Sequence, residues 1–360
     1  MKQVFNFNAG PAALPKEVLQ KAQEELLNYQ ESGLSVMELS HRSKLYENIQ
    51  NHATERLRAL MNIPADYDIL YMQGGASLQF SAVPMNFLTE DKTANYCLSG
   101  SWSEKALKEA KKLGRTHIAS SSKEENYSHI PEHLELSENP AYLHITSNNT
   151  IFGTQWKTTP EPDVEVPLIA DMSSDILSRR IPVEKYSLIY AGAQKNLGPS
   201  GVTVVIVKKD LLKRCPDHIP TMLNYQTYAK NGSLYNTPPT FSIYMLSLVL
   251  DWVADQGGVA QIEAMNAEKA ELIYHVIDSS DSFYKGPAQP GSRSNMNVTF
   301  TLPTDELTNK FLYEASEHGF VGLSGHRMIG GCRASIYNAV PLSHCERLAQ
   351  FMTDFRTNFM

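Results

Sequence analysis

Cysteine is scarce. The 360 residues hold four, Cys97, Cys215, Cys332 and Cys345. No two form a Cys-x-x-Cys pair, which leaves a zinc ribbon or a dithiol motif without its ligands. They read as buried or incidental thiols of a reducing compartment. No apolar run approaches the ~20 residues of a membrane span, and the first ten residues lack the basic-then-apolar layout of a signal peptide. Positive charge is in deficit: 32 Lys and Arg stand against 39 Asp and Glu, a net charge of -7. Nucleic-acid binding therefore has no electrostatic support, although a local cluster of Arg and His can still hold a small anion. There is no internal repeat and no low-complexity segment. These absences predict a soluble cytoplasmic protein with no nucleic-acid, membrane or metal partner.

What is present is ordinary globular composition, 42% apolar and 20% charged, enough for one large core or two domains. Residues 1–15 read as loop, and Lys16 to Gln30 as an amphipathic helix with Val18, Leu19, Ala22, Leu26 and Leu27 at helical spacing. A second helix is predicted over Leu45 to Leu60. Strands then alternate with helices. They are predicted at Asp68–Met72, Ala94–Leu98, Arg115–Ala119, Tyr142–Thr146, Val166–Ala170, Ser187–Tyr190 and Val202–Val207, with helices near Leu78–Phe87 and up to about Leu113. This order predicts an α/β fold with a mostly parallel sheet covered on both faces. Phe241 to Ala254 reads as an apolar helix and Gly257-Gly258 as a hinge. The predicted division is a large domain over 16–258 and a smaller α/β domain over 259–360, joined by 1–15.

In such sheets ligands bind at the carboxyl ends of strands. Gly75, Trp102, Thr150, Asp171 and Lys195 each follow a predicted strand, so one pocket is expected to collect them. A desolvated lysine on a tight turn can lose its proton and form a Schiff base with an aldehyde cofactor such as pyridoxal phosphate. That cofactor needs a carboxylate for its ring nitrogen, and Asp171 suits an adjacent strand. It needs an aromatic platform, for which Trp102 stands ready, and donors near the ring, for which Thr150 is a candidate. Its phosphate needs N–H groups, which Ala76 and Ser77 offer behind Gly74-Gly75. Singly, each has a plain structural use: Trp102 can fill a core, Asp171 can cap a turn in Met172-Ser173-Ser174, and glycine pairs mark turns. Their joint order is the specific signal.

The run Tyr190-Ala191-Gly192-Ala193-Gln194-Lys195-Asn196 resembles the lysine motif of the phosphoserine aminotransferases, class V aminotransferases of fold type I. The likeness covers almost the whole chain. It includes Phe7-Asn8-Ala9-Gly10-Pro11-Ala12, Ser40-His41-Arg42-Ser43, Asn149 to Gly153, Tyr235 to Thr240 and Gly325 to Ser335. The resemblance implies a fold type I enzyme in which Lys195 carries pyridoxal 5'-phosphate and shuttles the substrate's proton. It implies that Asp171 pairs with the ring nitrogen, Trp102 stacks on the ring, and Thr150 and Gln194 hydrogen-bond it. Ala76 and Ser77 would bind its phosphate. Asn236 and Thr237 would reach the cofactor of a partner subunit, so a homodimer with shared sites is implied. Ser77 stands where some members have arginine, which lowers the local positive charge. Arg333 would take the α-carboxylate, and His41, Arg42, His326 and Arg327 the phosphate, with His41 and Arg42 supplied across the interface. Arginine's fork suits both groups. The implied reaction exchanges the amino group between O-phospho-L-serine and 2-oxoglutarate, giving 3-phosphooxypyruvate and L-glutamate in serine biosynthesis. The resemblance also allows 4-phosphohydroxy-L-threonine, of pyridoxine biosynthesis, as a second substrate.

Two rivals compete. Another class V chemistry, cysteine desulfuration, needs a mobile cysteine near the lysine, and Cys332 is the candidate. A non-enzymatic binding protein on the same scaffold is expected to lack Lys195 or Asp171, and both are present.

Overall fold

The computed structural model describes residues 3–359. Seven strands build the central sheet: β1 (Tyr67–Met72), β2 (Thr93–Leu98), β3 (Thr116–Ser121), β4 (Pro140–Thr146), β5 (Leu168–Asp171), β6 (Leu188–Gly192) and β7 (Thr203–Lys208). Their spatial order is β1-β7-β6-β5-β4-β2-β3. All neighbours run parallel except that β7 is antiparallel to β1 and β6. The residues of β4, β5 and β6 are almost all buried, the continuous apolar reading expected of strands covered on both faces.

One face is covered by α1 (Lys16–Glu25) and α2 (Lys44–Met61), and the other by α3 (Gly75–Phe87) and α4 (Ser101–Ala110). The apolar helix α5 (Thr240–Asp255) joins the first face, packing on α1 and α2. Three crossovers depart from the predicted strand–helix alternation. The connections β3–β4, β4–β5 and β5–β6 contain no α-helix, only loops, a short hairpin at Asn148–Gln155 and one 3-10 turn at Val183–Lys185.

Helix α1 stops at Glu25, five residues before the predicted end. Asn28 closes a loop by accepting the Gly33 N–H at 2.8 Å, and Tyr29 N–H donates to Leu34 O. Leu27, predicted on the buried stripe, is 84% exposed. Glu25 is buried instead, accepting the Tyr244 hydroxyl at 2.6 Å.

Beyond Gly257 and Gly258, both at positive φ, the chain continues through α6 (Gly258–Asp278), β8 (Asn297–Phe300), α7 (Asp305–Glu317), β9 (Cys332–Ser335) and α8 (Leu342–Phe359). Phe5 and Phe7 pack into the same apolar cluster as these elements, and Phe5–Asn6 pairs in parallel with Phe320–Val321. Helix α6 serves both cores: Val259 and Ile262 face the sheet, and Ala270, Ile273 and Ile277 face the second cluster.

Candidate active site

Asp171 is the last residue of β5 and sits in register with Tyr190 on β6. Three residues past the end of β6 comes Lys195, on a turn closed by Leu197 and Gly198 N–H donating to Ala193 O. The predicted adjacency of aspartate and lysine thus follows from parallel pairing. The Gly10 backbone crosses above Lys195 with φ +147°, a conformation that favours glycine, and a Cβ there would lie 3.6 Å from Lys195 Cε. Ala12 N–H bonds Gln194 O at 2.9 Å, pinning the N-terminal segment over the turn.

Trp102 lies in the first turn of α4. Its Nε1 donates to Thr150 Oγ1 at 3.0 Å, and Lys195 Nζ stands 5.9 Å from its ring centroid. Arg333, on β9, donates from Nη1 to Thr150 O at 3.0 Å. Helix α3 begins behind Gly74 and Gly75, both at positive φ, and no side chain caps its N-terminus. Its first N–H groups are open to an anion.

These residues enclose a cavity of about 300 Å³. Of the predicted site residues, Ala76, Ser77, Trp102, Thr150, Asp171, Gln194, Lys195, His326 and Arg333 line it. Within one chain, His41, Arg42, Asn236, Thr237 and Arg327 do not. His41 and Thr237 meet each other instead, Nδ1 to Oγ1 at 3.3 Å, and Arg42, Asn236 and Thr237 are exposed. A larger open groove of about 610 Å³ lies between Ile130–Leu134 and Gln155–Glu161, and none of the predicted site residues lines it.

The electrostatics suit an amine and an anion. Burial pushes the Lys195 ammonium down to about 8; Asp171 opposes this and Arg333 adds to it. Burial raises the Asp171 carboxyl, opposed by hydrogen bonding from Ser173, whose N–H reaches Oδ1 at 2.9 Å. Asp171 therefore does cap the turn, through one oxygen, and still faces the cavity. Burial lowers His326, with Arg333, Arg327 and Lys105 adding repulsion. Among the described residues, none of His41, Arg42, His326, Arg327 and Arg333 pairs with a carboxylate. Asn148, Ser173 and Ser174 also line the cavity. No sequence signal marked Asn148. The two serines were visible only as the turn after Asp171.

The residues present fit pyridoxal phosphate: a depressed lysine, a buried carboxylate with room for a cationic N–H, an aromatic face and an uncapped helix start. The class V aminotransferase profile matches residues 4–348. A phosphoserine aminotransferase of Geobacillus kaustophilus is 64% identical over 361 residues, covering 100% of both chains. The chain belongs to the phosphoserine aminotransferase family. It is a pyridoxal-phosphate-dependent aminotransferase of fold type I. The structure of a phosphoserine aminotransferase from Bacillus circulans subsp. alkalophilus superposes with a TM-score of 0.98 at 55% identity, covering 99% of each chain. A pyridoxal-phosphate-bound one from Trichomonas vaginalis gives 0.92 at 40% identity, over 98% of this chain and 100% of its own.

The desulfurase rival loses its cysteine here. Cys332 is 2% exposed on β9, packed in the second apolar cluster, and burial pushes its thiol up to about 12. A fixed, protonated thiol is a poor nucleophile.

Proposed function

We propose that the protein transfers the amino group between O-phospho-L-serine and 2-oxoglutarate, reversibly, giving 3-phosphooxypyruvate and L-glutamate in serine biosynthesis. The observation that carries this is the convergence of Lys195, Asp171 and the carboxylate-free Arg333 on one cavity. Pyridoxal phosphate supplies an aldehyde that condenses with amines and a ring that accepts an electron pair.

The chain's own residues do the rest. The Asp171 carboxylate keeps a proton on the ring nitrogen. Trp102 covers one ring face, held there by Thr150. The N–H groups at the start of α3 and the Ser77 hydroxyl hold the phosphate. With its ammonium lowered to about 8, Lys195 has a neutral fraction near neutral pH for attack and for proton transfer. Its Nζ would take the proton from the substrate α-carbon and hold it for return, serving as the base and acid of the exchange. Arg333 grips the α-carboxylate with its planar fork.

His326 and Arg327 hold the distal phosphate or carboxylate together with His41 and Arg42 of a partner subunit. Asn236 and Thr237 likewise serve the partner's cofactor. This reading takes the working unit as a cytoplasmic homodimer, with 16–258 as the cofactor-bearing domain and 259–360 plus 1–15 as the smaller one. It is supported by the position of His41, Arg42, Asn236 and Thr237 outside the single chain's cavity and by the exposure of the last three.

The test is the visible spectrum of the purified holoenzyme. Yellow colour is expected to bleach with O-phosphoserine and return with 2-oxoglutarate. Colour indifferent to O-phosphoserine overturns the substrate. Normal turnover by Lys195→Ala overturns the role of the lysine.

A further inference from the structure

Lys269, on α6, takes no part in the chemistry above. It is 0% exposed, and its Nζ donates to the carbonyls of Ile336, Tyr337 and Val340 at 3.0, 2.8 and 3.1 Å. Three ammonium protons meet three carbonyls, and among the described residues no carboxylate pairs with it. A buried ammonium without a counter-ion is costly. What it accomplishes here is geometric. It gathers one turn, residues 336–340, by bonding three of its carbonyls, of which Tyr337 O also accepts the Val340 N–H at 2.9 Å.

That turn directly continues β9, which carries Arg333. The turn is also held by Asn266 Nδ2, on α6, donating to Asn338 Oδ1 and by Ile336 N–H donating to Met296 O, both at 2.8 Å, and further contacts run to the lysine side of the cavity. Asn338 N–H donates to Asn196 Oδ1 at 3.1 Å, and Asn338 Nδ2 to Leu177 O at 3.1 Å. The Tyr337 hydroxyl donates to Ala9 O at 2.8 Å. Asn196 follows Lys195 in the chain, and Ala9 precedes Gly10, whose backbone lies over Lys195.

From this juxtaposition we propose that Lys269 is a positioning residue: by clamping the 336–340 turn it sets the spacing between Arg333 and Lys195, and so the grip on the substrate's α-carboxylate. The inference rests on the reading of Arg333 given under Proposed function. Lys269 acts through Arg333 and never meets substrate.

The experiment uses holoenzyme and glutarate, a dicarboxylate with neither amino nor oxo group, titrated by calorimetry. For Lys269→Met the glutarate Kd is expected to rise about tenfold. KM for O-phosphoserine and for 2-oxoglutarate should rise alike, with kcat within about threefold of wild type. The yellow colour should be retained, since Lys195 and Asp171 are held by the central sheet. In an Arg333→Lys background the same change should add less than about twofold, the non-additivity of two residues acting through one contact. A lowered Tm with unchanged Kd and KM would reduce Lys269 to a structural role and overturn the inference, as would fully multiplicative effects in the double variant. Should the methionine variant fail to fold, Lys269→Arg keeps the charge, and an intermediate rise in Kd is expected. A wild-type Kd there overturns the inference. Wild-type enzyme on the same O-phosphoserine assay separates the two readings: if it is silent, the proposed function fails, and if it is active, only the role of Lys269 is at stake.

Discussion

The indole of Trp102 and the guanidinium of Arg333 are held by the same residue. Trp102 Nε1 donates to the Thr150 hydroxyl and Arg333 Nη1 to the Thr150 carbonyl, both at 3.0 Å. One threonine thus fixes the ring platform relative to the carboxylate clamp, although the three residues come from α4, from the loop after β4 and from β9. Thr150→Val removes the hydroxyl and keeps the carbonyl. It is expected to cost about 1 kcal/mol of cofactor affinity and to shift the Trp102 fluorescence. Substrate KM should change little, as read by steady-state kinetics on saturated holoenzyme.

Asp171 supplies the charge that a protonated ring nitrogen needs, and one of its oxygens is already taken by Ser173 N–H. Asp171→Asn keeps the shape and that turn bond but loses the charge. Turnover is expected to fall by roughly 10²–10⁴-fold, the scale of a lost proton-holding group. Wild-type kcat in this variant would remove the ring-nitrogen pairing.

Lys195 carries a pH signature in the cofactor-free protein. Its folded-state value is depressed to about 8 from 10.5. Between these values the unfolded chain binds the extra proton, so this group raises stability as pH climbs from about 8 toward 10.5. The rate at which the apoprotein turns yellow with pyridoxal phosphate should rise through pH ~8, following the neutral amine. Because Arg333 helps to depress the lysine, Arg333→Ala should move that midpoint upward. A midpoint that stays fixed would mean the two groups do not feel each other.

The shared-site reading predicts complementation. Arg42→Ala and Lys195→Ala homodimers should each be nearly inactive, by a factor of roughly 10² or more for the lysine. Mixed dimers should regain activity, because one of their two sites then carries both intact residues. Mixing after co-refolding, measured by turnover, checks this. No recovery would place Arg42 in its own subunit's site.

Cys332 should be a bystander. Cys332→Ala is expected to keep kcat/KM within about twofold and to lose some stability by leaving a small cavity in the second core. Sulfide release from cysteine by the wild-type enzyme would revive the rival chemistry, and its absence is the expected result.

Much of the fold was legible because alternating apolar runs and turns report local backbone state. The seven strands appeared within a residue or two of their predicted places, and so did α2 and α5, while α3 begins three residues earlier than predicted, at Gly75. The end of α1 was not legible. Leu26 and Leu27 continue a helical spacing, but a side-chain bond from Asn28 to Gly33 N–H competes with the helix, and sequence pattern does not price such competition. The helix-free crossovers were missed for a related reason: loops such as 122–139 carry apolar residues that pack on the core without any period.

The sequence by itself determined the chemistry: a lysine on a turn between apolar strands, an aspartate at the preceding strand end, and glycines that open a helix to phosphate. Those are local features, written in residue type and spacing. Tertiary structure decided what depends on distant segments meeting. It placed Gly10 over Lys195, joined Trp102 to Arg333 through Thr150, buried Cys332 beyond reach, and set Lys269 under the turn that follows Arg333. Nothing in the spacing of residues 10, 150, 269 and 333 announces those contacts, because they join segments far apart in the chain that meet only once the cores are packed.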